Sequence, residues 1–580
     1  MPSPGHAQTS LSRYVIQLTD KKGSPYTLAD PEAYLSAAAV QRRARRNIPI
    51  DPSDLPVSPV YLDSIGGVPN VELLNRSKWL NQVLIRTTDS AALARILGFP
   101  FVRQEQPAGA AAVSHVQTGH AAKGVQGVKV AAGGRLGVAG LRQGVAGVRQ
   151  GAALGGVVAE LGWQGGAGGD LIDYGNSYAQ IHIHHGEYLH DRGFQGQGIT
   201  IAVLDDGFYG YLSNPVFDSV RSNGQVLGSW DFVNNKQSVN EEDVHGMFCL
   251  STMAANRPGL MVGSAPGAKF WLFKTEDINS EYPVEEQNWA AAAEFADSAG
   301  ADMITTSLGY VNFDDPILDH SYAQRDGHTA ISTRAANFAV GKGMIVLAAA
   351  GNSGTDTGDT KYIGCPADGD SVLTVGSIDK QGVIVSFSSW GPNASGRIKP
   401  DVVSLGEETT IAGTDGNPTT GSGTSFATPN MAGLAACLWE AYPEFPNYAI
   451  LDAIRQSSSN FQTPDGRYGY GLPDLEKAFA LLQAERGANA VISRGSPWIT
   501  AFPVPYTDGL TVVFRAQHSG TTGLTLIDAI GRTIERQTLV TVTGQWYTVR
   551  FDGTTETAAG VYFVRYTDGQ QQTVLPVLRK

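Results

Sequence analysis

Between residues 199 and 378, short β-rich runs alternate with helix-patterned stretches. The runs are ITIAVLDD (199–206), KFWLFKT (269–275), DMITTSL (302–308), GMIVLAAA (343–350) and SVLTVGSI (371–378). NWAAAAEFADSAG (288–300) and AISTRAANFAVGKG (330–343) lie among them. Strands that alternate with helices predict an α/β domain over 171–488, built on a mostly parallel sheet with helices on both faces. In such sheets functional residues collect just beyond the carboxyl ends of the strands.

The flanks read differently, and 580 residues leave room for about three or four domains. Residues 1–106 predict a small α+β domain, with strands at RYVIQL (13–18), NQVLIRTT (81–88) and FVRQEQ (101–106) and a helix at DPEAYLSAAAVQRRARR (30–46). Residues 107–170 are rich in Gly, Ala and Val, with acidic side chains only at Glu160 and Asp170. There GVAGLRQ (137–143) is followed at once by GVAGVRQ (144–150). The seven-residue copy invites a coiled coil, but each glycine costs a helix up to about 1 kcal/mol. A flexible linker is expected instead. Residues 495–580 alternate strands and turns with no helix, which predicts a separate β-sandwich.

Composition excludes several function classes. The chain is 42% apolar and 17% charged, enough to bury a large core. Its net charge of −13 argues against nucleic acid, because binding a phosphate backbone needs Lys and Arg to displace counterions. No run of about 18 apolar residues is present to cross a bilayer. MPSPGHAQTS at the start holds no apolar signal-peptide core. Cys249, Cys365 and Cys437 are odd in number and follow no metal-ligand spacing.

Four strand-end and helix-start positions carry chemistry. Asp205 ends an apolar run in IAVLDDG, His245 precedes a glycine in DVHGM, Asn352 follows a run in AAAGNSG, and Ser425 stands in GTSFATP. Each has a bland reading alone: an Asp ending a strand is ordinarily a turn residue, and a Ser before an apolar helix ordinarily its cap. The order Asp, His, Asn, Ser, each in a glycine-rich context, is far more specific.

With these residues the chain resembles the subtilases, whose triad runs Asp, His, Ser along the chain. The matching stretches are 201–207, 245–255, SLGY (307–310), AAAGNSG (348–354), KPDVVSLG (399–406) and GTSFATPNMAG (423–433). The resemblance implies a subtilisin-like fold and a secreted serine endopeptidase acting through an acyl-enzyme. In it Ser425 is the nucleophile and opens its helix, His245 is the general base, and Asp205 fixes the imidazole. Asn352 and the Ser425 N–H form the oxyanion hole. The substrate groove falls on Ser307, Leu308 and Gly309, on Ala349, Ala350 and Gly351, and on Gly364 at the pocket floor. No cofactor is needed for the chemistry, no metal is assigned to the site, and structural Ca²⁺ is allowed at no stated position. The alternative is a pseudoprotease or adhesin that uses the fold as a scaffold.

The chain also departs from the family pattern. Many subtilases have Thr after the catalytic Asp; Asp206 here reads as a solvated surface carboxylate, or else as a contact for basic substrate side chains. The His motif reads HGMFCLST rather than HGTHVAG, so the second histidine is missing. Cys249 reads as a small buried residue one turn after His245, within reach of the triad. IHIHHGEYLHD (181–191) holds His182, His184, His185 and His190; strand alternation would put the first two on one face, but no motif completes a metal spacing. It reads as an ordinary lead-in.

The remaining segments take their meaning from the same resemblance. Residues 1–106 would be a propeptide cut away within 107–170. FPVPYTDGLTVVF (502–514), GLTLIDAIGRTIERQ (523–537) and AGVYFVRYTDGQQQTVLPVLRK (559–580) resemble type IX secretion sorting domains, with Val504 where the usual pattern has Asn. Leu524, Leu526, Val561 and Phe563 are expected to fill that sandwich. The expected partners are protein or peptide substrates and the type IX machinery, and the expected location is secreted or cell surface.

Overall fold

The computed structural model describes residues 11–110, 129–130, 170–241, 243–493, 498–507, 509–551 and 558–580. The tandem copy at 137–150 lies outside them. The chain divides into two compact units, Met1–Glu476 and Lys477–Lys580.

The larger unit is built on a seven-stranded sheet. From one edge to the other its strands are Val402–Leu405, Leu373–Ile378, Ile345–Ala349, Met303–Thr306, Thr200–Asp205, Lys269–Lys274 and Val226–Asp231, all paired in parallel. The chain starts at Thr200–Asp205, fills one side, then crosses to Met303–Thr306 and proceeds outward. The order therefore reverses between these two strands, where α/β sheets open a crevice at their carboxyl ends. The observed sheet is the α/β, subtilisin-like architecture the sequence predicts.

Two helices bury all or nearly all of their residues under this sheet. His245–Ala254 is buried at every position, and Thr424–Ala441 at all but one. Such all-round burial marks core helices and not amphipathic surface ones. On the other face Val284–Ala299 sets Trp289 and Ala290, Ala292, Ala293 and Ala296 against Ala202, Leu204 and Ile304.

An antiparallel sheet at the N-terminus, in the order Glu72–Ser77, Gln82–Arg86, Leu11–Leu18 and Val102–Ala110, docks onto that second face. Trp79 stacks on Phe338 at 6.0 Å and, with Leu80 and Leu84, joins the same apolar core. Burying each large side chain there contributes about 1.5–3 kcal/mol. The expected single helix over 30–46 is interrupted. A 3-10 turn at Pro31–Ala33 is followed by Ala37–Arg45, where Ser36 Oγ accepts the Ala39 N–H at 3.2 Å and restarts the helix.

Polar groups fix the docking. Glu294 accepts the backbone N–H of Lys78 (2.7 Å) and Trp79 (3.0 Å). Asp297 lies between Arg42, Arg43 (2.8 Å) and Lys78 (3.5 Å), and is itself fully buried. Lys342 reaches back to Asp51 (2.9 Å) and Asp54 (3.0 Å). Within the stretch expected as linker, Lys129–Val130 pairs antiparallel with Pro418–Ser422, Val130 opposite Gly421 and Lys129 opposite Ser422.

After its helical start, the strands of the smaller unit pair antiparallel. Ile499–Phe502, Leu510–Arg515 and Trp546–Phe551 form one sheet; Thr533–Thr541, Gly520–Asp528, Gly560–Thr567 and Gln572–Arg579 form the other. Leu510, Val512, Phe514, Leu524 and Leu526 fill the core between them. Val561 and Phe563 do not, contrary to expectation: Val561 is 48% exposed, and Tyr562, Val564 and Tyr566 face inward instead. The tyrosine rings can be buried because their hydroxyls reach acceptors, Tyr562 the Ala558 carbonyl (2.7 Å) and Tyr566 the Asp568 carboxylate (3.0 Å).

Replacing Asp297 by Ala should leave three cations facing one another at the docking face, at a cost of about 3–5 kcal/mol. Amide hydrogen exchange over 11–110 should then accelerate strongly relative to the wild type. Burial pushes the Asp297 carboxyl up, but Arg42, Lys78 and Arg43 outweigh it and hold it below the usual range. A lowered folded value stabilises above the unfolded one, near 3.9, and is lost only as pH falls through the folded value. Docking should therefore persist at pH 5, and release at that pH would contradict this role for Asp297.

Candidate active site

The parallel register brings several chain ends to one rim. Asp205 closes its strand with Lys274 opposite, and Thr306 pairs with Leu204 on one side and Ala348 on the other. Ser307 and Ala350–Asn352 thus emerge beside Asp205. The helix His245–Ala254 starts at the same rim, and the Asp243 carboxylate caps it by accepting the N–H of Val244 (2.6 Å) and His245 (3.0 Å). Gly246 permits the approach. A Cβ there would stand 2.5 Å from the Gly207 carbonyl and 2.9 Å from the Asp205 Cβ.

His245 Nδ1 lies 2.7 Å from Asp205 Oδ1, with both side chains out of contact with water. The Asp206 N–H donates to the same oxygen at 3.0 Å. Burial pulls the imidazolium down, yet the net shift is well above its ordinary value. Burial pushes the Cys249 thiol up to about 12, so it is uncharged at neutral pH and Asp205 is the charge that raises His245.

Ser425 does not cap its helix. Gly423 holds that place, and Ser425 is the second helical residue, where the backbone N–H has no partner within the helix. Its Oγ has no hydrogen-bond partner among the described residues. Pro429 lies four residues on and lacks the N–H that would bond the Ser425 carbonyl. That carbonyl instead accepts Ser307 Oγ–H at 2.8 Å and Cys249 Sγ–H at 3.3 Å. The Cys249 sulfur also lies 3.8 and 4.0 Å from the two nitrogens of His245. Cys249 is thus buried, as its bland reading required, and also bridges the imidazole to the Ser425 backbone.

Asn352 is oriented by Thr424. The N–H and Oγ1–H of Thr424 both donate to Asn352 Oδ1 at 2.9 Å, and an N–H can face only the oxygen of the amide. Nδ2 is therefore the end of Asn352 that donates elsewhere. Gly351, at φ +104°, donates its N–H to Thr424 Oγ1 at 3.2 Å. Thr424 escaped the sequence reading, although it stands in the quoted GTS.

The remaining expected groove residues join this neighbourhood through the backbone. Tyr310, next to Ser307–Gly309, bonds Cys365 in both directions (2.8 and 3.2 Å), which draws Gly364 alongside; a Cβ on Gly364 would meet Val311 at 2.8 Å. Leu308, Ala349 and Ala350 are buried, while Gly309 is exposed with open space where a side chain would be. Asp206 is a correction. It is fully buried, not a solvated surface carboxylate, because the segment through Asp243 folds over Gly207.

The His182–His190 stretch is helical, at Tyr178–His182 and Glu187–His190, and not a strand. Its rings turn to separate partners: His182 to Glu187 (2.7 Å), His184 to Pro473 and Ser404, His185 to Asp474 (3.2 Å), and His190 to Tyr174 and Ser264. Burial lowers His184 and His190 to about 4. For calcium, Glu276, Glu281 and Glu285 form an all-carboxylate group among the described residues, with oxygens within 4.8 Å. Thr275 and Tyr310 already donate to Glu276, and the N–H groups of Asp277 and Tyr282 to Glu285, so these carboxylates are held by protein donors.

Comparison with known proteins places the domain that holds these residues. Residues 196–471 match the Subtilase family model (Peptidase S8), and residues 13–123 match the Peptidase S8 propeptide domain of Bacteroidota. The chain is similar to Subtilisin E of Bacillus subtilis (strain 168), 29% identical over 296 residues, covering 50% of this chain and 68% of that protein. It is 29% identical to Subtilisin of Bacillus pumilus over 296 residues, 50% of this chain and 94% of the relative. Against the Thermophilic serine proteinase of Bacillus sp. (strain AK1) it is 30% identical over 287 residues, 49% and 62% of the two chains. A seven-stranded parallel sheet, a matching family domain and these relatives lead to one conclusion: residues 196–471 form a subtilase-family domain, and the protein is a serine-type endopeptidase.

Proposed function

We propose that this peptidase cuts its substrates through Asp205, His245 and Ser425 by way of an acyl-enzyme. The observation that carries the reading is the buried 2.7 Å contact of Asp205 with His245, packed through Cys249 against Ser425, whose Oγ has no hydrogen-bond partner among the described residues. Ser425 Oγ attacks the substrate carbonyl as His245 takes its proton, and the imidazolium then protonates the leaving amine. Asp205 holds the tautomer and stabilises the positive ring. The Ser425 N–H and Asn352 Nδ2 receive the oxyanion, aided by the helix N-terminus. Ser307, Leu308, Gly309, Ala349, Ala350, Gly351 and Gly364 line the groove, and the small residues among them, with Leu308 turned into the core, leave room for a large apolar residue before the cut bond.

The N-terminal domain is read as a propeptide removed by cleavage within 107–170. Lys129–Val130, inside that stretch, supports this, because it pairs with Ser422 and Gly421, which stand just before Ser425 in the chain. Residues 495–580 are read as a type IX sorting domain, which makes the product secreted or surface-held and the type IX machinery its partner. No helix among the described residues is long and apolar enough to cross a membrane.

Ser425→Ala should lower turnover by several orders of magnitude, leaving the residual rate supplied by binding and the oxyanion hole. The same variant should stay full length, whereas active wild-type enzyme should show a new N-terminus between Ala108 and Gly169. Full-length chain in the most active fraction would overturn the propeptide reading.

Because only neutral imidazole accepts the proton and His245 is raised, kcat/KM should climb with pH through a midpoint above about 6.5. A profile flat from pH 5 to 8 would remove His245 from the role.

Deleting 495–580 in a type IX-competent host, with a signal peptide supplied, should trap folded, active protease in the periplasm. Unchanged release to the medium or surface would refute the sorting assignment.

A further inference from the structure

The mechanism gives no role to Asp206, yet its carboxyl is among the most confined groups in the molecule. It is 0% exposed, and neither of its oxygens has a hydrogen-bond partner among the described residues. Its one bond at this site runs from its backbone N–H to Asp205 Oδ1. The groups facing it are Asp205, which ends the strand before it, Asp243, and His245 at the start of the helix His245–Ala254. Lys274, on the neighbouring strand opposite Asp205, has Asp231 as a partner at 3.9 Å. An ionised carboxylate in that setting would be a buried charge beside two other acids, with no donor to either oxygen.

Asp205 presents the complementary defect. Its Oδ1 takes His245 Nδ1–H and the Asp206 N–H, but its Oδ2 is buried without a partner among the described residues. One proton resolves both problems: a carboxylic acid at Asp206 has an O–H to donate, and Asp205 Oδ2 is an unfilled acceptor on the adjacent residue. The proton belongs on Asp206, because Asp205 must accept from the imidazole.

We propose that Asp206 is a positioning residue which holds a proton in the working enzyme and donates it to Asp205, so that a single negative charge stands behind His245. Burial, and then the charge on Asp205, push the Asp206 carboxyl well above its ordinary range, in the same direction as the geometry. The proposal rests on the triad reading above, so its test includes a measurement that needs no activity. As a neutral donor Asp206 shares in orienting Asp205, and if it ionised, a second charge would make the imidazole more basic and move the acid limb upward.

The first test is infrared difference spectroscopy at pH 7 between Ser425→Ala and Ser425→Ala/Asp206→Asn proteins. The single variant should show a protonated-carboxyl C=O band that the double variant lacks; identical spectra would overturn the proposal even if the triad reading stood. The second test is the pH profile of kcat/KM. Asp206→Ala leaves Asp205 Oδ2 unfilled and should lose about tenfold. Asp206→Asn, whose NH2 can donate in place of the O–H, should recover most of that loss with its acid-limb midpoint where the wild type has it. A midpoint lowered by about one unit in Asp206→Asn would mean that a charge had been removed, and Asp206 would be ionised after all. If Ser425→Ala retained full turnover, the triad reading would fail while the infrared result still decided the state of Asp206.

Discussion

The 2.7 Å contact between Asp205 and His245 sets the requirements that its surroundings meet. A carboxylate shut away from water is tolerable only where a partner is fixed in place, since the alternative is an unpaired buried charge. Three features deliver the partner. The strand Thr200–Asp205 ends in mid-sheet with neighbours on both sides, so the Asp cannot drift. Asp243 caps the opposing helix and fixes its first residue. Gly246 lets helix and strand approach to a distance that any side chain would forbid.

Pro429 has an analogous effect on the second helix. By withholding one N–H it leaves the Ser425 carbonyl unsatisfied in a fully buried setting, which a fold accepts only if other donors arrive. Ser307 comes from the end of a central strand and Cys249 from the His245 helix. One missing hydrogen bond thereby ties together the sheet and both core helices at the candidate nucleophile. Cys249 suits the place because a thiol is a small hydrophobe that still donates weakly.

Much of this was legible in the sequence, and the parts that were not share a cause. The alternating strands and helices could be read because each run has one period and a length that suits one element. Asp205, His245, Asn352 and Ser425 could be singled out because each stands at an abrupt change of pattern within two residues of a glycine. Asp206 could not be read as buried, since nothing local distinguishes it from a turn carboxylate; a segment some 35 residues later folds over it. IHIH mimics strand alternation over four residues, too few to exclude the short helical turns that formed. In VYFVRY the Val561–Phe563 face also carries Arg565, which belongs in water, and the tyrosines of the other face can be buried because their hydroxyls have acceptors in reach.

The N-terminal domain holds on by a different physical means from the candidate site it accompanies. Around Asp297, Arg42, Arg43 and Lys78 all converge, with Asp54 taking a second bond from Arg43, so the docking face is sealed by interlocked buried ion pairs over an apolar floor. Such pairs add little net stability when compared with apolar replacements, but they penalise any partial detachment that strands one charge without its partner. A face of this kind tends to be either fully docked or fully released. Under the proposed propeptide role that is a useful property, because apolar contacts alone would allow the domain to loosen by degrees before the chain beyond it is cut.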